Sequence, residues 1–404
     1  MKNIHGKLVL VFVSFVFGSV SCSVDIEEEI MLEQEISTNN TSNLNGEDFL
    51  DYGLYWFDAD NNSYKGFDEN LDIPLVVSSS VYDLEKPTII YFHGWQLGSS
   101  EEGYRRENFE LIDDDNNIDI NTVTAWKEKG WNVAIFYWNQ FADELEVKDA
   151  EAKIWHATKG PKGIRYRLSD GSYSNEQAPP RNLGKLAANQ IRKVLADNTS
   201  KNIRLAGHSL GSQLAVYVGK LMSNAVANGN LSSDLMPNRI ELLDPFWSQD
   251  SKSYLTDLNN DGENDWTGER VRLYIDDLKR DNNVAFTWYK SSLISNIGIG
   301  DSNNNLKEEV AFQSVRFWYL NGIDIANKHV YVRHNYFWSM AYDSPNEVRL
   351  NFWRQRRSTG NVAASAATPK QRILDLMDSG YLWDQVEGRY TPSPSDDEFE
   401  FKKW

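Results

Sequence analysis

Residues 203–211 read Ile203-Arg204-Leu205-Ala206-Gly207-His208-Ser209-Leu210-Gly211. The first four form a short β-prone run. Leu210, Leu214, Ala215, Val218, Leu221 and Met222 then recur at helical spacing,. Between them lies G-x-S-x-G, a pattern that is weak alone and gains force from a strand before it and a helix after it. Such a turn forces a serine into a strained backbone with its hydroxyl clear of the sheet. The helix N-terminus places partial positive charge where an oxyanion would form. Ser209 is therefore the candidate nucleophile.

Working outward, Thr88–Phe92, Trp131–Trp138 and Ile240–Leu243 read as further strands. Residues 122–129 read as helix, as does the stripe Leu183, Leu186, Ala187, Ile191, Val194 and Leu195. Alternating strands and helices predict a mostly parallel sheet with helices on both faces, and such sheets carry their sites at the strands' carboxyl ends. His93-Gly94-Trp95 follows one strand and Asp244-Pro245 follows another. The Trp95 and Leu210 N–H groups are the expected oxyanion donors. Asp244 is the expected acid of a triad. Asp234 lies before its strand and is a poor competitor.

Tyr91-Phe92-His93-Gly94-Trp95, Phe136-Tyr137-Trp138, the Ser209 turn and Leu242-Leu243-Asp244-Pro245 together resemble the pancreatic-type lipase family, which includes phospholipases A1. The likeness spans roughly residues 85–345. It implies an α/β-hydrolase fold and a Ser-Asp-His triad acting on carboxylic esters. Chain order leaves His329 and His334 for the base. The family places it on a loop shortly before an aromatic-rich helix, here Tyr336 to Met340, which favours His329 and keeps His334 as the alternative. The family's lid is matched at most by residues 290–309, a lid or a surface loop, and its C-terminal lipid-docking sandwich has no room. The competing reading is a catalytically weak or inactive surface protein that binds lipid or glycan on the same scaffold.

Asp257, Asn259, Asp261, Glu263 and Asp265 alternate around Gly262, the spacing by which an EF-hand-like loop offers oxygens to Ca2+. The bidentate Glu expected at the twelfth position is missing. A structural calcium is the expectation, with no cofactor for catalysis. Asp58, Asp60 and Asn62 are a weaker echo and read as solvated loop.

The chain has 404 residues and a formal net charge of −18. That charge argues against a nucleic-acid or anionic-membrane surface. Residues 1–21 have a signal peptide's layout, with Lys2 and Lys7 before an apolar run,. Cys22, the single cysteine, stands where a bacterial lipoprotein is lipidated, and residues 22–50 read as an acidic tether,. The expected organisation is a hydrolase domain over 51–357 and a C-terminal extension over 358–404. The expected protein is an exported, outer-membrane or cell-surface monomer, held to the membrane through Cys22.

Overall fold

The computed structural model describes residues 49–296, 298–320 and 324–404. The signal peptide, Cys22 and all but the last two residues of the acidic tether lie outside them. Twelve strands form the main sheet: β1 (Gly53–Phe57), β2 (Ser63–Lys65), β3 (Thr88–Phe92), β4 (Asn132–Tyr137), β5 (Ile203–His208), β6 (Pro237–Leu243), β7 (Ala285–Lys290), β8 (Ala311–Ser314), β9 (Asn346–Leu350), β10 (Arg356–Val362), β11 (Tyr381–Glu387) and β12 (Glu398–Lys403). Six helices matter here: α1 (Val123–Glu128), α2 (Leu183–Val194), α3 (Leu210–Ala227), α4 (Thr267–Asn282), α5 (Ile325–Trp338) and α6 (Lys370–Leu376).

The sheet order is β10-β9-β12-β11-β8-β7-β6-β5-β3-β4-β1-β2. From β4 through β3, β5, β6, β7 and β8 to β11 every neighbouring pair is parallel. The central strands are apolar without alternation because helices cover both faces: all five residues of β3 and all six of β4 are buried,. Beyond β4, β1 pairs antiparallel with it.

From β3 the chain moves outward to β4, then crosses back to place β5 on the other side of β3. The order therefore reverses between β3 and β5, and the crevice at their carboxyl ends is where an open α/β sheet receives a ligand.

One expected boundary is corrected. Position 357/358 falls inside β10, and the expected C-terminal extension supplies α6, β11 and β12 to the same sheet. Strands β9 to β12 continue the parallel core as its edge, with β11 bonded to β8. Apolar burial explains the continuity, since Trp383 and Phe399 join the common core.

Candidate active site

β5 runs straight into α3 with a single residue between them. That residue, Ser209, has φ 52° and ψ −124°, a conformation a side-chain-bearing residue holds only when its surroundings force it. The flanking glycines show the force. A Cβ on Gly211 would lie 2.1 Å from the Phe92 carbonyl oxygen, and one on Gly207 would lie 2.2 Å from that of Gly211. The Ser209 N–H donates to the Leu243 carbonyl at 3.1 Å, tying the turn to β6.

The loop after β3 lies against this turn. A Cβ on Gly94 would come within 2.8 Å of Ser209 Cβ and 3.4 Å of its Oγ. The His93 ring moors the loop: Nδ1–H donates to the Gly94 carbonyl at 2.9 Å, and Nε2 accepts the Trp138 N–H at 3.0 Å. Those partners require the neutral Nδ1–H tautomer. Burial agrees, pushing the imidazole pKa down to about 4. The Trp95 indole donates to the Glu144 carbonyl at 2.6 Å, and the Asp143 carboxylate accepts the Gly98 and Ser100 N–H groups, each at 2.8 Å. Among the described residues no side chain or loop carbonyl accepts from the backbone N–H of Trp95 or Leu210.

Asp244 leaves β6 with φ 39° and is fully buried. Its Oδ2 accepts Nδ1–H of His329 at 2.9 Å and the Ser292 N–H at 3.1 Å, with the Ser292 hydroxyl also bonded to it. Lys290 Nζ stands 3.4 Å from Oδ1. Burial opposes ionisation here, but the Lys290 charge, His329 and Ser292 outweigh it and hold the carboxyl far below the usual carboxylate range,. Residues 290–292, at the start of the expected lid segment, are thus donors to Asp244.

His329 sits in the first turns of α5, not on a loop before a helix. The helix begins earlier than the aromatic run suggests because Asp324 caps it, accepting the Asn327 N–H at 2.9 Å. His208 joins the serine turn to this helix: its Nε2–H donates to the His329 carbonyl at 3.0 Å, and the two rings lie 4.4 Å apart. Burial and the neighbouring His329 push the His208 pKa down to about 3. No hydrogen bond joins Ser209 Oγ to the His329 ring in this conformation; catalytic bonds of this kind often tighten only around substrate.

His334 goes elsewhere. Its Nε2 accepts from Arg333 at 3.0 Å, and Arg333 is itself ion-paired with Glu107. Glu107 also accepts the Tyr91 hydroxyl at 2.8 Å and the Gln96 amide at 2.6 Å. Asp244 binds His329 and leaves His334 in this buried polar block.

The fold is that of an α/β-hydrolase.

No family model matches the chain, and no curated protein matches it. Among solved structures it is similar to the esterase Est22 with p-nitrophenol, at 13% identity over 65% of this chain and 73% of that one, TM-score 0.30. It is also similar to the thioesterase domain from the curacin biosynthetic pathway, at 12% identity over 62% and 91%, TM-score 0.28. A third is the native Est2 esterase from Thermogutta terrifontis, at 13% identity over 69% and 77%, TM-score 0.27. At these scores the likeness carries no argument about activity. The fold assignment rests on the sheet order, the parallel strands and the strained Ser209 turn, and the pancreatic-type lipase likeness rests on sequence motifs alone.

The expected calcium ligands do not fit a site. Asp257 accepts the Asn260 N–H at 2.6 Å and the Gly262 N–H at 2.9 Å, while Asp261 accepts the Glu263 N–H at 2.9 Å. Asp265 is turned inward to an ion pair with Arg270 at 2.6 Å. Among the described residues no group of three His, Cys, Asp or Glu converges to hold a metal. The spacing is satisfied by side chain-to-backbone turns, which the same Asp and Asn residues favour.

His93, Lys290, Ser292 and the Arg333–Glu107 pair are parts of the site neighbourhood to which sequence reading assigned no such positioning role. Only His93 carried a signal, standing directly after a strand.

Proposed function

We propose that this protein is a serine carboxylic ester hydrolase, of lipase or phospholipase A1 type, exported and anchored through a lipid on Cys22. The observation that carries the reading is the 2.9 Å contact between His329 and the buried Asp244, beside a serine on a strained strand-to-helix turn. Ser209 Oγ attacks the ester carbonyl as His329 Nε2 takes its proton. Asp244 holds the ring with Nδ1 protonated and stabilises the imidazolium that forms. The Trp95 and Leu210 N–H groups receive the developing oxyanion. His329 then protonates the leaving alcohol, and water, deprotonated by the same ring, releases the acid from Ser209.

The test is release of chromophore from p-nitrophenyl esters of increasing acyl length, below and above the concentration at which they form an interface. Activity that climbs at the interface supports a lipase; activity limited to short soluble esters supports an esterase. Ser209→Ala is expected to lower kcat on the order of 10⁴–10⁶-fold with the fold intact. Equal activity in that variant rejects Ser209 as the nucleophile; no activity in the parent on any ester rejects the hydrolase reading and leaves a binding protein on this scaffold.

A further inference from the structure

The two faces of the β9–β10 hairpin are wired differently. On one face Arg356 is ion-paired with Glu387 and, at 3.1 Å, with Glu398. On the other, Arg349 and Arg357 stand directly opposite each other in the antiparallel register. Among the described residues neither forms an ion pair with a carboxylate, in a chain whose formal net charge is −18. Like charges at directly opposed positions disfavour a strand pair. Acidic side chains are abundant, so an unrelieved arginine pair stands out.

This arginine face borders a groove of about 470 Å³ whose lining includes Arg349, Arg357, Arg372, Thr359, Asn361 and Phe401. One carboxylate, Glu347, lies on its floor, but it is committed. It pairs with Arg372 and accepts the Trp383 indole N–H at 2.8 Å and the Thr359 hydroxyl at 2.7 Å. The Arg349 guanidinium lies 5.2 Å over the Phe401 ring, which stacks on Tyr381 at 4.4 Å. The Arg349 fork is thus seated over an aromatic pair, and Arg357 lines the same groove.

We propose that this groove binds a phosphate group, bridged by Arg349 and Arg357. A guanidinium presents paired donors that match a phosphate's oxygens, and an anion between two such forks turns their repulsion into attraction. The site lies at the β10 edge of the sheet, separated from β5 and Ser209 by several strands, so it does not depend on the hydrolase reading. The phosphate can come from a soluble phosphate ester or from a lipid headgroup. The second source is worth testing because the turn between β9 and β10 exposes Phe352 and Trp353, at 90% and 77%.

The full protein is titrated with inorganic phosphate by calorimetry at low salt, with chloride at matched ionic strength as control, and its melting temperature is followed. In parallel it is sedimented with phosphatidylglycerol vesicles and with phosphatidylcholine vesicles. The comparison variant is Arg349→Gln/Arg357→Gln, both positions being exposed. Phosphate is expected to bind and raise the melting temperature, with affinity at least tenfold weaker in the variant. Without phosphate the variant should be as stable as the parent or more so, because the opposed charges are gone. Phosphate binding without vesicle binding assigns a soluble ester; vesicle binding lost in the variant assigns a headgroup. Absence of both in the parent, or binding unchanged in the variant, overturns the proposal.

Discussion

Asp244 and Asp397 are both buried aspartates of the same sheet, one at the carboxyl end of β6 and the other just before β12, and their environments drive them in opposite directions. Asp244 faces Lys290, His329 and the Ser292 N–H and hydroxyl. Asp397 accepts the Gln385 amide at 2.8 Å and forms no ion pair among the described residues. Burial is the largest influence on each. At Asp244 the donors and the lysine charge outweigh it; at Asp397 the Gln385 bond does not, the Asp396 charge adds to the burden, and the pKa is pushed up to about 7. Burial alone makes a carboxyl neutral. A carboxylate that must orient a histidine needs a dedicated set of donors, and of these two aspartates Asp244 has one.

The largest effect should come from breaking the Asp244 side. Asp244→Asn and His329→Ala are each expected to lower kcat on the order of 10³–10⁴-fold. His334→Ala should leave kcat within about tenfold and instead lower stability, because it opens the buried block around Arg333 and Glu107. A dead His334→Ala with an active His329→Ala would reverse the assignment of the base.

Asp397 sharpens the contrast through pH. Its folded pKa lies above the unfolded value near 3.8, so the folded state holds the extra proton between those limits. The contribution of Asp397 to folding stability is therefore greatest below about pH 4, falls as pH rises towards 7, and is level above that,. Asp397→Asn should match the parent at pH 4 and exceed it at pH 8 by up to about 4 kcal/mol. The check is chemical denaturation at both pH values, and an equal loss at the two would remove the claim. Asp244 runs the other way. Its lowered pKa stabilises the fold above the usual carboxylate range, and that contribution fades only as pH falls well below it.

The smallest expected effect concerns the Asp257–Asp265 loop. With Asp265 paired to Arg270, and Asp257 and Asp261 bonded to backbone N–H groups, neither millimolar Ca2+ nor chelator should shift the melting temperature by more than about 1 °C, because a ligand that does not bind the native state adds no stability. A rise of several degrees with Ca2+ would restore the metal.

The central strands were legible because burial on both faces leaves nearly continuous apolar runs. Thr88–Phe92, Trp131–Trp138, Ile203–Ala206 and Ile240–Leu243 appear in the structure as β3, β4, β5 and β6. The C-terminal edge was not. β9 reads Asn-Glu-Val-Arg-Leu and β10 reads Arg-Arg-Ser-Thr-Gly-Asn-Val; β10 is mostly exposed, and β9 joins the sheet through β12, which lies far along the chain. Edge strands are set by what they pair with, and local composition carries little of that.

From sequence alone came the serine turn, since its glycines and its strand-to-helix flanks are local, and Asp244, which directly follows a strand. Only the tertiary structure separated His329 from His334. Five residues along an α-helix rotate a side chain by about 140°, so one ring meets Asp244, a residue 85 positions away in the chain, and the other meets Arg333. Nothing in the local sequence records which face of α5 meets Asp244, because that depends on how the helix packs at the carboxyl end of β6.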